Sequence, residues 1–191
     1  MSDVKSIMIV GVGGQGTLLA SRIIGHAIVQ KGYDVKVSEV HGMSQRGGSV
    51  VTYVKYGTKV YSPIVDEGEA DFIVSFEKLE AARWLSFLKK GGKMITSSQE
   101  IDPMPVITGA AQYPCDLIEK TREKSVDILA IDALKLAQEA GSPKATNVVL
   151  MGVLSRYMEF SSEIWQTAIE ECVPKKFLAI NKKAFDLGAN I

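Results

Sequence analysis

Gly11-Val12-Gly13-Gly14-Gln15-Gly16 sets three glycines in the spacing Gly-x-Gly-x-x-Gly, after an apolar run at residues 7–10 and before a stretch with helical spacing. Strand, glycine loop and helix in that order can cradle a phosphate. The first glycine makes the tight turn, the second lets a phosphate approach the backbone, and the third lets helix pack close on strand. Free N–H groups at the helix start then attract an anion. Two readings follow. Either Gly11, Gly13, Gly14, Gln15 and Gly16 bind a phosphate-bearing ligand or cofactor, or the glycines only permit a tight turn.

Glu39 ends the next β-rich stretch, where dinucleotide folds place an acid that binds a ribose hydroxyl. Acids at strand ends are also commonly just solvated. Directly after it runs His41-Gly-Met-Ser44-Gln45-Arg46-Gly47-Gly48-Ser49. Ligands of open parallel sheets sit outside the carboxyl ends of the strands, so this loop and the glycine loop should line one crevice. Arg46 beside two glycines can pair its guanidinium with a phosphate or carboxylate while the backbone comes close. Ser44, Gln45, Arg46, Gly47 and Gly48 are therefore binding candidates, and the alternative is a turn with one exposed arginine. His41 reads as a structural histidine. No residue is assigned a catalytic role.

The elements that must position these loops follow from periodicity. Residues 5–10 read as a strand. Residues 15–31 read as a helix with Leu18, Leu19, Ile23, Ala27 and Ile28 on one face and Gly32 past its end. Residues 35–39 read as a second strand, parallel to the first as in a βαβ unit. Residues 49–56 and 59–62 alternate around Gly57-Thr58 and predict an inserted β-hairpin. The α/β rhythm then resumes: strand 71–76, helix 77–88, strand 93–97, a proline-rich stretch 101–114 that must be largely extended or looped, helix 116–124 and strand 126–131. Asp132 caps a helix ending near Gly141. Everything from 145 onward is helical: 147–158, then a helix capped near Ser161 with Trp165, Ala168, Ile169 and Cys172 on one face. A last helix opens at Pro174, with the stripe Phe177, Ile180, Ala184 and Leu187. The expected fold is one α/β domain spanning 1–191: a Rossmann-like, doubly wound, mostly parallel sheet over 1–144 with an inserted β-ribbon, and a helical C-terminal subregion over 145–191.

Composition narrows the function. The chain has 191 residues, 46% hydrophobic and 23% charged, a globular profile with room for one sizeable core. Its 22 basic and 22 acidic side chains balance, which gives no electrostatic reason to expect nucleic acid or an anionic membrane as partner. The apolar run at 7–10 is too short for a signal-peptide core, and 148–154 is too short to span a bilayer. A cytoplasmic protein is expected. Cys115 and Cys172 stand alone, without the four thiolates an iron–sulfur cluster or structural zinc needs, so no metal site is expected.

Val10-Gly-Val-Gly-Gly-Gln-Gly16, Ser44-Gln-Arg-Gly-Gly48, Ile131-Asp132 and Asn147-Val-Val-Leu-Met-Gly152 together resemble, in order and over nearly the whole chain, the gamma domain of pyruvate and 2-oxoacid ferredoxin oxidoreductases. Within that family the likeness is strongest to the small (beta) subunit of the indolepyruvate enzymes. The resemblance implies a complex that oxidatively decarboxylates a 2-oxoacid, forms an acyl-CoA and passes electrons to ferredoxin. It places thiamine diphosphate, Mg²⁺ and the iron–sulfur clusters in a large partner subunit, and gives this chain a share in binding coenzyme A and completing the active-site interface. The absence of a cysteine cluster and of a Gly-Asp-Gly thiamine motif agrees with that division. The same glycine loop and Glu39 also fit a self-contained NAD(P)-dependent dehydrogenase, which would need a substrate domain and a proton-transfer set such as Ser-x-Tyr-x-x-x-Lys. A nucleotide-sensing module without chemistry is the third reading.

Overall fold

The computed structural model describes residues 4–41 and 47–191. Its frame is a six-stranded sheet in the order β2-β3-β1-β4-β5-β6. The strands are β1 (Lys5–Val12), β2 (Asp34–His41), β3 (Ser49–Gly57), β4 (Ala70–Ser75), β5 (Leu88–Ser97) and β6 (Asp127–Ile131). β1, β4, β5 and β6 pair in parallel, while β3 runs antiparallel to both β1 and β2. β1 is buried at every position after Lys5, with Ile7 and Ile9 in the core on one face and Met8 and Val10 in that on the other. Burial on both faces is the signature of a strand in a parallel sheet covered on both sides.

The helices are α1 (Thr17–Gln30), α2 (Lys78–Arg83), α3 (Met104–Ile107), α4 (Leu117–Glu123), α5 (Ala133–Ala140), α6 (Thr146–Ser155), α7 (Ser162–Cys172) and α8 (Leu178–Ala189). α2 and α4 cover one face of the sheet. α1 and α5 to α8 cover the other and share a single core with it, so the C-terminal helices complete the domain's own interior.

The expected ribbon is absent. Residues 49–57 are not an inserted hairpin arm but β3, an internal strand, and residues 59–62 form no strand. Two facts explain this. Val51, Val54 and Tyr56 supply apolar surface to the cores on both faces of the sheet, which an exposed ribbon would leave in water. The N–H of Val60 is held by Asp34 Oδ2 at 2.9 Å, and Pro63 has no N–H to offer a ladder. β1 and β2 run in the same direction, as expected, but β3 lies between them.

Two smaller expectations change. α2 ends at Arg83, and a short 3₁₀ turn at Leu85–Phe87 leads into β5, which begins at Leu88. The proline-rich stretch is largely looped, as expected, apart from the single turn α3. On α1 the buried face is Ala20, Ile23, Ile24, Ala27 and Ile28, which already fills the apolar stripe a surface helix needs. Leu18, expected on that face, is 57% exposed.

α6 is apolar all round and buried all round, from Asn147 to Leu154. It crosses α8 backbone to backbone. A Cβ on Gly188 would lie 2.0 Å from the Val149 carbonyl oxygen, and one on Gly152 would lie 2.1 Å from that of Phe185. The crossing fixes the rotation of α8. Its buried face is Asn181, Ala184, Phe185 and Gly188, with Ile180 and Leu187 of the predicted stripe packed at its margins, while Phe177 lies before the helix and is exposed. The faces expected for α7 and the Asp132 cap of α5 are present, Asp132 Oδ1 accepting from Lys135 N at 3.0 Å.

Candidate functional site

At the carboxyl edge of the sheet, β1 delivers the glycine loop to the start of α1. Gly11 belongs to the strand itself, with Gln15 Oε1 and Phe76 Cβ 2.8 and 3.2 Å from where its Cβ would be. Gln15 folds back into the loop. Its Oε1 accepts from Val12 N at 2.7 Å and its Nε2 donates to the Phe76 carbonyl oxygen at 3.0 Å. The same amide nitrogen lies 3.5 Å from Gln99 Oε1. Gln15 therefore shapes the loop and ties β1 to the ends of β4 and β5.

Gly14 and Gly16 have φ of +101° and +86°, a region that favours glycine. Gly16 is also pressed against Asn147 at the start of α6. Asn147 Nδ2 donates to the Gly16 carbonyl oxygen at 3.1 Å, and a Cβ on Gly16 would lie 2.5 Å from that nitrogen. The third glycine thus does serve close packing, against α6.

The second loop returns directly onto the first. Gly13 N donates to the Gly48 carbonyl oxygen at 2.8 Å, and Gly47 N lies 3.5 Å from the Gly13 carbonyl oxygen. The N–H of Gly13, the position expected to meet a phosphate, is therefore occupied. Gln15 N is also held, by the Val12 carbonyl oxygen at 3.2 Å. Among the described residues no hydrogen-bond partner is found for the N–H of Gly14 or Gly16, and Gly14 is exposed with open space around it. An anion would approach here, at Gly14 and the first turn of α1.

Glu39 is half-buried beside that first turn, with Thr17 Oγ1 donating to its Oε1 at 3.4 Å. The predicted residues Gly11, Gly13, Gly14, Gln15, Gly16, Glu39, Gly47 and Gly48 thus converge on one edge. Ser44, Gln45 and Arg46 lie outside the described residues.

Two acids that the sequence reading passed over stand at the same edge. Glu77 is 1% exposed and Glu80 is 4% exposed. Glu77 Oε2 accepts from Glu80 N at 2.9 Å and caps α2, while its Oε1 accepts from the Tyr113 hydroxyl and from Ile101 N at 3.3 Å. Burial and the bond to the Glu77 carboxylate push the Tyr113 hydroxyl pKa well above its ordinary value. Glu80 Oε2 accepts from the Ser49 hydroxyl and from Trp84 Nε1 at 3.3 Å, and Arg83 Nε reaches Oε1 at 3.1 Å. The only sequence signal was the acid pair at capping spacing before a helix, because the donors are far along the chain.

Cys115 is exposed and Cys172 is buried in α7. Among the described residues, no three His, Cys, Asp or Glu side chains converge to hold a metal ion, and no helix is long and apolar enough to cross a membrane.

The sheet is a parallel-dominant α/β sheet whose two glycine segments interlock at its carboxyl edge, the edge where ligands of such sheets sit. Comparison with known proteins narrows this further. The model of the pyruvate ferredoxin/flavodoxin oxidoreductase family matches residues 6–191, and the chain belongs to that family. It is 48% identical over 188 residues, 96% of this chain and 93% of the relative, to the indolepyruvate oxidoreductase subunit IorB of Pyrococcus horikoshii. The fold matches the gamma subunit of a keto/oxoacid ferredoxin oxidoreductase from Geobacter sulfurreducens, at TM-score 0.72 and 22% identity over 97% of this chain and 96% of that one. It also matches 31% of a 2-oxoglutarate:ferredoxin oxidoreductase chain from Magnetococcus marinus, solved with 2-oxoglutarate, coenzyme A and succinyl-CoA bound. That match covers 100% of this chain at TM-score 0.77 and 19% identity.

Proposed function

We propose that this chain is the small subunit of an indolepyruvate-type 2-oxoacid:ferredoxin oxidoreductase, and that its carboxyl-edge crevice helps bind coenzyme A where it meets the large subunit. The reaction class follows from family membership and from the name its close relatives carry. The large subunit supplies thiamine diphosphate, Mg²⁺ and the iron–sulfur clusters. It decarboxylates the arylpyruvate, and the acyl group passes to coenzyme A while electrons go to ferredoxin. The complex works in the cytoplasm.

The observation that carries the coenzyme A assignment is the bond from Gly13 N to the Gly48 carbonyl oxygen at 2.8 Å. It brings the two loops together at the helix start. The N–H of Gly14 and the first turn of α1 would receive a phosphate, with Arg46 proposed as its counter-charge and Glu39 as the acceptor for a ribose hydroxyl. A self-contained dehydrogenase is disfavoured by family membership, as is a sensing module without chemistry.

Arg46→Ala tests the assignment. A charge-assisted bond contributes roughly 1.5–3 kcal/mol, so the variant in the assembled complex should bind coenzyme A about 10- to 150-fold more weakly by calorimetry. Unchanged affinity would refute the role.

A further inference from the structure

Glu80 is buried, ionisable and outside every role so far assigned, yet it grips the crevice from beneath. It sits on α2, on the face of the sheet opposite α1. Its Oε2 accepts from the hydroxyl of Ser49, the first residue of β3. Trp84 Nε1 donates to the same carboxylate oxygen at 3.3 Å and lies 3.4 Å from Ser49 Oγ. Ser49 follows Gly48, whose carbonyl oxygen holds Gly13 N. Two consecutive residues therefore carry both fastenings: Gly48 to the glycine loop and Ser49 to Glu80. Glu77, one turn earlier, fixes α2 by accepting from Glu80 N and ties it to the segment after β5 through Ile101 N and the Tyr113 hydroxyl.

We infer that Glu80 is a positioning residue: through Ser49 it sets where Gly48 presents its carbonyl to Gly13, and so fixes the spacing of the two glycine loops. A buried carboxylate is costly unless it is fully hydrogen-bonded, and an apolar side chain would fill the same volume without that cost. Arg83 and Trp84, at the end of α2, orient the carboxylate, and the Ser49 hydroxyl is the donor through which it holds the root of β3 against α2. Glu80 touches no ligand in this arrangement and acts only through Ser49.

The test has two arms, and the second rests on the coenzyme A reading above. In the full chain, Glu80→Leu, which removes the acceptor, and Ser49→Ala should each speed amide hydrogen exchange at Gly13 by about tenfold, the loss of one hydrogen bond. Ser49→Thr, which keeps the hydroxyl, should restore protection. The double variant should be no worse than either single one, because both break the same link. Asp34→Asn, at the opposite edge of the sheet, is the stability control and should leave Gly13 no more exposed than its global stability dictates. In the assembled complex, Glu80→Leu should raise the KM for coenzyme A about tenfold with kcat within about twofold. Unaltered exchange at Gly13, or equal acceleration by the control, overturns the positioning role. Faster exchange with an unaltered KM upholds the positioning role and overturns the coenzyme A reading instead.

Discussion

Asn147 Nδ2 donates to the carbonyl oxygen of Gly16 at 3.1 Å, across 131 positions of chain. The bond fastens the first turn of α6 to the residue that precedes α1, and Asn147 Oδ1 accepts from Val148 N at 2.9 Å. The asparagine is 3% exposed, so both ends of its amide are matched inside the protein. The C-terminal helices are thereby coupled to the shape of the glycine loop.

Removing that amide should be felt in stability. Asn147→Ala should cost about 1–3 kcal/mol in denaturant unfolding, the range for orphaning a buried partner. Asn147→Asp should cost more, because an acceptor then faces the Gly16 carbonyl oxygen. Equal stability of wild type and both variants would show that the link contributes nothing.

The α6–α8 crossing gives a sharper contrast. Gly188→Ala and Gly152→Ala each drive a methyl group into opposing backbone and should destabilise by about 1–3 kcal/mol or more. Gly25 is also helical, in α1, but its added Cβ meets nothing within 4 Å. Gly25→Ala should be stabilising by about 0.4–1 kcal/mol, because alanine lowers the entropy of the unfolded chain. Thermal midpoints of the three variants check the ordering.

Asp34 links β2 to the segment after β3, and its bonds from Lys36 and from Val60 N lower its pKa from 3.8 to about 2. A carboxylate with a depressed folded pKa stabilises above its unfolded value and loses that contribution as pH falls through the folded one. The stability difference between wild type and Asp34→Asn should therefore be constant above about pH 5 and shrink between about pH 4 and 2. A difference that stayed constant down to pH 2 would contradict this.

The glycine loop, the strand before it and the helix after it were legible because strand, turn and helix chemistry are local. So were the α7 face and the Asp132 cap. The position of β3 was not: residues 49–56 alternate as a ribbon would, and only the completed sheet shows that both faces are covered. The α8 stripe was legible at Ile180, Ala184 and Leu187, but its closest approach to α6 is at Gly188, a residue with no side chain to mark a face. Asn147 and Gly152 carried a family likeness before they carried a reason, and the structure assigns the first to the loop and the second to the helix crossing. Glu77 and Glu80 were passed over because exposed acids are common early in helices, and their donors at Tyr113 and Ser49 are 36 and 31 positions away.

The proposed function requires that this chain work only together with a larger partner subunit. The direct measurement is arylpyruvate- and coenzyme A-dependent reduction of ferredoxin or viologen by the large subunit alone, by this chain alone, and by the two co-expressed and copurified. The account predicts turnover only from the copurified pair. Full-rate turnover by the large subunit alone would contradict it.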